Sequence, residues 1–500
     1  MKLKKKIFIT VVSKWFEITA MITFNLIAVP IFILKWGVEN YAYWLLFQVS
    51  IGLIFLPNLS LSEYVYNKNF AAGKKKKFQL FSNILSSIPF CFFNSLLIIG
   101  LLLLDKNFLF TNKLLNISNK NFSEWNFVLI IFAILVMFSS SITNFFTDML
   151  KLMGFYHFFS IGNTIRRIAN MIVPLILVFF YNFKLFETII SVALIDILYF
   201  IFIYIILFFY LKKQNISFEL NLTKGLIYYL NSFIILFKHI FENFSTQGLR
   251  YFISFLFNPL MVVTFSTIRT VSNIYRQFID GMKEFFIPEF SLIFIKKDKI
   301  KLNYYIEIYL ILLFLFLFPS LIIIQILIPD LFILWTMGKV DFNSLLFLFL
   351  NFSLMIYAIY NPLKLILISN NLNYTILFNS IAYFLVTIFF IFFFNKSLSL
   401  TSVGLGICIA EILIFIIVLK KTNILMKKIN IKMNVKIFYL SFLSLLYIFI
   451  LCFLFVNNQI LNFKFLDFIL FFLIYFILGT LMIKNSSNHT KTKIKFLLKL

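Results

Sequence analysis

Charge is what this sequence has least of. Asp, Glu, Lys and Arg make up 13% of its 500 residues, about half the share of a soluble domain. There are three cysteines, Cys91, Cys408 and Cys452, each in an apolar run without partner spacing. That excludes a disulfide framework and a cysteine metal site. The three histidines, His157, His239 and His489, are far apart and form no ligand motif. No Gly-rich phosphate loop, nucleophile elbow or zinc motif occurs, so no metal or cofactor is expected. Long loops are missing too: the largest predicted outer connection, 105–124, is too small for a folded domain. No small-residue cleavage site closes the apolar run that follows the basic stretch Met1 to Lys6. That run is therefore expected to stay as a first membrane span. Whatever the chain does, it must do it among its helices.

What is abundant is apolar length. Hydrophobic residues are 62% of the chain and the mean hydropathy is +0.98. A spanning helix needs about 20 apolar residues, and such runs recur throughout. They predict an all-α polytopic membrane protein with about 14 transmembrane helices. The spans fall at 13–34, 41–66, 81–104, 125–147, 158–181, 186–211, 228–256, 259–286, 304–328, 342–365, 375–394, 400–420, 437–456 and 466–483. The formal charge is +26. Lys collects in alternate connections, at Lys4 to Lys6, Lys74 to Lys77, Lys212 and Lys213, Lys296 to Lys301, and Lys427 and Lys428. The connection 105–124, with Lys106, Lys113 and Lys120, departs from that alternation. The excess is read as topological rather than nucleic-acid-binding, and it places both termini in the cytoplasm.

The chain also repeats in outline. Pro57 to Lys77 ends one span and enters a basic loop, and Asp280 to Lys301 does the same later. Each is the second span of a six-span set, as in transporters built from two repeats. The expected domains are a six-helix lobe over 1–225 and a second over 226–425. Residues 426–500 would add two helices and a basic tail.

Charges at membrane depth are the informative residues, each costing about 2.5–3.5 kcal/mol on insertion scales. The eighth span carries Arg269, Asn273, Arg276, Asp280 and Glu284 on one helical face. Exposed to lipid, that stripe would cost on the order of 10 kcal/mol, so it must line a hydrated cavity or meet another helix. The seventh span offers Asn231, Lys238, Glu242, Thr246 and Arg250 near helical spacing. Lys238 and Glu242, at i and i+4, can pair with each other. Arg166 and Arg167 in the fifth span can face a cavity or snorkel to the interface. Glu17, Asp196 and Glu411 are isolated acids, each a candidate coupling site or half of a structural ion pair. Pro57, Pro174 and Pro319 interrupt spans and are candidate bend points.

Three stretches carry a family resemblance. Val29 to Ser50, with Pro30, Gly37, Glu39, Tyr41 and Trp44, resembles the first hairpin of bacterial Wzx-type polysaccharide exporters. Ala42 stands where that family usually has a second Gly, and Leu59 where Gly is frequent. Phe265 to Asn273, ending at Pro288-Glu-Phe-Ser291, resembles the family's eighth span, and Ile333 to Lys339 its outer turn between spans nine and ten. The resemblance implies the multidrug/oligosaccharidyl-lipid/polysaccharide exporter fold: two six-helix, MATE-like lobes around a cavity, with two additional helices. It implies a flippase, not an enzyme. The substrate would be an undecaprenyl-diphosphate-linked glycan, carried from the cytoplasmic to the periplasmic leaflet of the bacterial inner membrane. A glycan polymerase and assembly proteins would be its partners. Arg suits a diphosphate because its planar fork donates bidentate hydrogen bonds. The expected diphosphate-binding cations are Arg269, Arg276, Arg250, Lys238 and Arg166. The expected cavity and coupling groups are Asn273, Asp280, Glu242, Glu17, Asp196 and Glu411.

Two rival readings stay open. A multidrug exporter of the same superfamily would favour an acidic cavity, whereas this stripe is mixed with cations near its middle. A membrane-embedded glycan polymerase or ligase would present a large outer loop with basic and His residues, which is not found.

Overall fold

The computed structural model describes residues 3–71, 77–108, 119–152, 156–214, 220–295, 299–369, 373–428, 433–456, 465–487 and Thr490. The described residues are almost entirely helical. In lipid, every backbone N–H and C=O must bond within its own segment, and helices do this without edges. Helix covers all fourteen predicted segments. Nine described stretches are long and apolar enough to cross a membrane. The basic segments 74–76, 296–297 and 491–500, and the side chains of Glu284 and His157, lie outside what is described.

By contact the chain divides into two compact units, Met1–Thr267 and Ile268–Leu500. The first holds α1 (Leu3–Ile54), α2 (Leu56–Ala71), α3 (Lys77–Phe108), α4 (Asn119–Leu152), α5 (Tyr156–Tyr181), α6 (Leu185–Gln214), α7 (Leu222–Thr246) and α8 (Leu249–Leu256). α1 packs on α5, α4 on α3 and α6, and α7 on α2 and α3. The unit's core joins Leu61 and Val65 of α2 to Ile84, Cys91, Phe145, Met149, Tyr199 and Ile203. α9 (Pro259–Ile295) begins in the first unit and runs into the second. The second unit continues with α10 (Lys299–Leu312), α11 (Phe318–Thr336), α12 (Ser344–Ser369), α13 (Asn373–Leu398), α14 (Thr401–Lys428), α15 (Val435–Val456) and α16 (Phe465–Asn485). There α14 packs on α12 and α13, and α15 on α12.

Breaks occur where the sequence supplies them. Gly37, at φ 77°, separates two helical arms of α1; a residue with a Cβ would be strained there. The aromatic residues around that turn lock it. Phe32 stacks on Trp36 at 4.6 Å, Trp36 meets Trp44 edge-on at 5.8 Å, and the Trp36 indole donates to the Phe183 carbonyl at 2.8 Å. The first of the three stretches that carried the family resemblance thus builds one turn. Of the three predicted bend prolines, Pro57 follows the break between α1 and α2. Pro319 follows a π-helical turn, Leu313–Leu317, at the start of α11. Pro174 leaves α5 unbroken, because neighbouring helices can support a proline in a membrane helix. The three cysteines are free and buried.

α3 and α7 touch backbone to side-chain-free backbone. A Cβ at Gly225 would lie 2.0 Å from the Ser86 carbonyl oxygen. Above this contact a polar ladder links three helices: Asn94 donates to Asn58 at 3.1 Å, and the Tyr229 hydroxyl donates to Asn94 at 2.9 Å.

α16 fastens to the π-turn of its own unit. The Tyr475 ring stacks on Phe314 at 4.2 Å, and its hydroxyl donates to the Phe314 carbonyl. A second clasp lies before the π-turn. Glu307 of α10 is 2% exposed and accepts from Asn434 Nδ2 at 3.1 Å, Ser487 N at 2.9 Å, Ser487 Oγ at 2.7 Å and Thr490 Oγ1 at 2.6 Å. One carboxylate therefore ties down the chain before α15 and the chain after α16.

Candidate membrane-embedded polar sites

In the first unit, the predicted acids are ion-paired. Glu17 is 3% exposed and accepts from Arg167 Nη1 at 2.5 Å and Thr164 Oγ1 at 3.2 Å. Asp196 accepts from Arg166 Nε at 2.7 Å and Asn170 Nδ2 at 3.0 Å. The Arg166 guanidinium also lies 5.3 Å over the Tyr199 ring. These pairs join α5 to α1 and to α6.

Lys238 does not pair with Glu242, its i+4 neighbour. It reaches Glu63 of α2 at 3.3 Å. His239 Nε2 lies 2.6 Å from the other Glu63 oxygen, and its Nδ1 lies 3.7 Å from Glu242. The cross-helix partner wins because α7 packs along α2, so Lys238 and His239 both point at the same carboxylate. Asn231, at the other end of this face, is exposed.

Beyond this cluster the seventh predicted span breaks. α7 ends at Thr246, Gln247 and Gly248 turn, and α8 starts at Leu249. Gly248 is required there, since a Cβ would lie 2.7 Å from the Phe244 Cα. Arg250 sits in the first turn of α8. Its Nε is buried and has no hydrogen-bond partner. Among the described residues no carboxylate pairs with it. The Tyr41 phenol of α1 lies near it, and Tyr251 beside it shares a hydrogen bond with Ser50 at 2.5 Å.

In the second unit, the α9 stripe meets three tyrosines. The Tyr357 hydroxyl of α12 donates to Asp280 at 3.0 Å, and Arg276 Nε lies 3.8 Å from the other Asp280 oxygen. The Tyr357 ring has Arg276 at 5.8 Å and Lys364 at 5.9 Å from its centroid. Glu411 of α14 accepts from Tyr360 at 2.5 Å and from Tyr383 of α13. Arg269 acts electrostatically on Tyr383, and Asn273 is half-buried on the same helix. Among the described residues, three cations, Arg269, Arg276 and Lys364, thus accompany two acids, Asp280 and Glu411.

The five predicted cations therefore differ in kind. Arg166 and Lys238 are held by carboxylates on neighbouring helices, Arg276 by one on its own helix, and Arg269 lies by a tyrosine. Among the described residues, Arg250 is left without a carboxylate. Sequence reasoning missed Glu63, His239, Lys364, Glu307 and the tyrosines at 357, 360 and 383. The charged ones had a readable signal, being ionisable residues inside apolar runs; the tyrosines had none in so aromatic a chain. Among the described residues, no group of three or more His, Cys, Asp or Glu side chains could hold a metal ion.

No family model matches this sequence, and no curated protein matches it. Solved structures do. A lipid II flippase, MurJ, in an inward closed conformation aligns with a TM-score of 0.65 at 16% identity, over 95% of this chain and 96% of that one. A MATE family multidrug resistance transporter of the MOP superfamily, inward-facing, aligns at 0.60 and 14% identity, over 84% and 99%. A eukaryotic MATE transporter, AtDTX14, aligns at 0.57 and 12%, over 83% and 94%. At these identities the likeness is one of fold. The chain has the all-α membrane-transporter fold shared by MurJ and MATE proteins.

Proposed function

We propose that this chain is a flippase of the bacterial inner membrane. It moves an isoprenoid-diphosphate-linked oligosaccharide, an O-antigen, capsule or similar repeat unit, from the cytoplasmic to the periplasmic leaflet. Both termini are cytoplasmic in this reading. The working division is a lobe over 1–225, a lobe over 226–425 and an addition over 426–500. A glycan polymerase and assembly proteins are the proposed partners.

The observation that carries the proposal is Arg250. A guanidinium at membrane depth without a carboxylate is costly unless an anion arrives to meet it. A diphosphate supplies one, and Arg binds it through paired hydrogen bonds. The cation excess among the described residues around Tyr357 supports the same substrate charge. The likeness to a lipid II flippase supports a lipid-linked glycan, with the sugars in water and the tail in the bilayer. Rocking of one repeat against the other would change the exposed side.

The multidrug reading is the alternative, and the MATE likeness favours it. An organic cation needs an available carboxylate; Glu17 and Asp196 are each held by an arginine, which leaves Glu411, bonded to Tyr360, as the acid for that reading. The test is a strain lacking the gene. Accumulation of the complete lipid-linked repeat unit on the cytoplasmic leaflet, relieved by the intact gene, is expected. Normal sidedness together with sensitivity to cationic drugs would transfer the assignment to multidrug export.

A further inference from the structure

We infer that Asn351 of α12 holds a buried water molecule against the π-turn Leu313–Leu317, and that this water stands in for the N–H that Pro319 lacks. In an α-helix each carbonyl accepts from the N–H four residues on. Two carbonyls of this turn lose that donor. The Phe318 N–H bonds Leu313 instead of Phe314. Residue 319 is a proline, so the Leu315 carbonyl has no N–H at that distance. The Tyr475 hydroxyl serves Phe314. Leu315 needs another donor, and in a membrane helix side chains or ordered waters supply it.

Asn351 is 1% exposed. Its amide nitrogen and oxygen are both buried without a hydrogen-bond partner among the described residues. Burying an unpaired amide is unfavourable, so such groups are nearly always bonded to protein or to ordered water.

Two contacts place Asn351 opposite the π-turn. The Tyr309 hydroxyl of α10, before the turn, donates to the Ala358 carbonyl of α12 at 3.2 Å. Gln325 of α11, after the turn, donates to the Ser344 carbonyl of α12 at 3.2 Å. α12 therefore runs antiparallel to the α10–α11 segment. Asn351 is midway between Ser344 and Ala358, and Leu317 is midway between Tyr309 and Gln325, so the two stand at one level. Ser344, Asn351 and Ala358 also share a helical face, being two turns apart. Leu317 and Phe318 belong to one buried cluster with Leu348, Phe352 and Met355, which surround Asn351 in α12.

The nearby hydroxyls are committed elsewhere. Ser320 donates to the Leu317 carbonyl at 2.7 Å and meets Tyr275 at 3.1 Å. Ser353 donates to the Leu350 carbonyl at 2.7 Å. A buried water needs about two to four polar partners. Asn351 offers a donor and an acceptor, and Leu315 a second acceptor. The water accepts from Nδ2, donates to the Leu315 carbonyl and returns its other proton to Oδ1. One molecule thus satisfies the amide and the carbonyl that the proline deprives. It also accounts for a polar side chain among so many apolar ones. The inference does not rest on the flippase reading.

The test is a double-mutant cycle on the purified full chain in lipid nanodiscs. Leu has a similar branched shape to Asn without its polar atoms. An Asn351 bonded to nothing would make N351L neutral or stabilising, because the variant buries no unpaired amide. The expected result is the opposite: N351L lowers the unfolding midpoint, and the loss shrinks when P319A restores the backbone N–H. An N351L midpoint at or above that of the unaltered chain, or an equal loss in the P319A background, overturns the inference. Where P319A does not accumulate, solid-state NMR with ¹⁵N-labelled asparagine decides. Magnetisation transfer from water to the Asn351 side-chain amide, assigned by its loss in N351L or N351S, is expected. An Asn351 amide signal without that transfer overturns the inference.

Discussion

Arg167 and Glu17 are 150 positions apart in sequence and meet at 2.5 Å. The pair closes α5 onto α1. Glu17 is almost fully enclosed and Arg167 half exposed, with a side chain 49% accessible. Removing either partner should lower thermal stability, R167A more than E17A, because R167A strands an enclosed carboxylate without this cation whereas E17A leaves a guanidinium that is half exposed. The double variant E17A/R167A should lose less than the sum of the two. A coupling of about 0.5–3 kcal/mol is the range for contacting residues. Thermal unfolding of the four proteins in detergent gives the cycle; strict additivity would show that the pair does not act as one.

Arg250 should matter to export more than Arg166 does. R250A is expected to reduce leaflet transfer of the lipid-linked glycan by at least about tenfold, since a charge-assisted hydrogen bond is worth about 1.5–3 kcal/mol. R250K should keep part of the activity, as a point charge without the fork. R166A should act mainly through protein amount, because its partner is Asp196. Transport normalised to membrane protein level separates these outcomes.

Gly225 should accept no side chain. With a Cβ placed 2.0 Å from the Ser86 carbonyl, G225A must push α7 away from α3. A cost of about 1–3 kcal/mol is typical of overpacking. G52A is the control, since the added Cβ meets the Asn243 side chain at an ordinary 3.7 Å. Unfolding midpoints of the two variants should differ, with G225A well below G52A.

Glu307 should govern the order of the chain after α16. E307A removes the acceptor for four hydrogen bonds and leaves Asn434, Ser487 and Thr490 to find others. Hydrogen exchange at Ser486, Ser487 and Thr490 should rise sharply, while exchange in α14 stays as it was. E307Q should fall between the two, since an amide oxygen can accept but carries no charge. Unchanged exchange in E307A would remove the clasp.

The helical fold was legible because its signal is coarse. A run of some 20 apolar residues has few other uses, and helix covers every predicted segment. Details that depend on one residue were legible when that residue was a breaker. Gly37 and Pro57 mark real breaks, whereas Pro174 does not, because tertiary support decides whether a proline bends its helix. The polar sites were legible residue by residue but not in their pairings. Helical spacing proposed Lys238 with Glu242, while packing of α7 on α2 gave Lys238 to Glu63. Likewise Arg166 and Asp196 were each noticed, yet nothing in their 30-residue separation announces that α5 and α6 bring them to 2.7 Å. The break at Gln247 and Gly248 falls inside a segment read as one continuous span, although the stretch from Glu242 to Arg250 is mostly polar and contains Gly248.

The π-turn at Leu313–Leu317 bears on how the chain is made. A widened turn leaves a carbonyl without its ordinary helical donor, and lipid offers no replacement. Here the donor for Phe314 is the Tyr475 hydroxyl, 161 positions later. During synthesis that stretch must therefore wait, incompletely bonded, until α16 is inserted. Shortened chains that stop before Tyr475 should accordingly be recognised and degraded by membrane quality control even though every earlier helix has already been built.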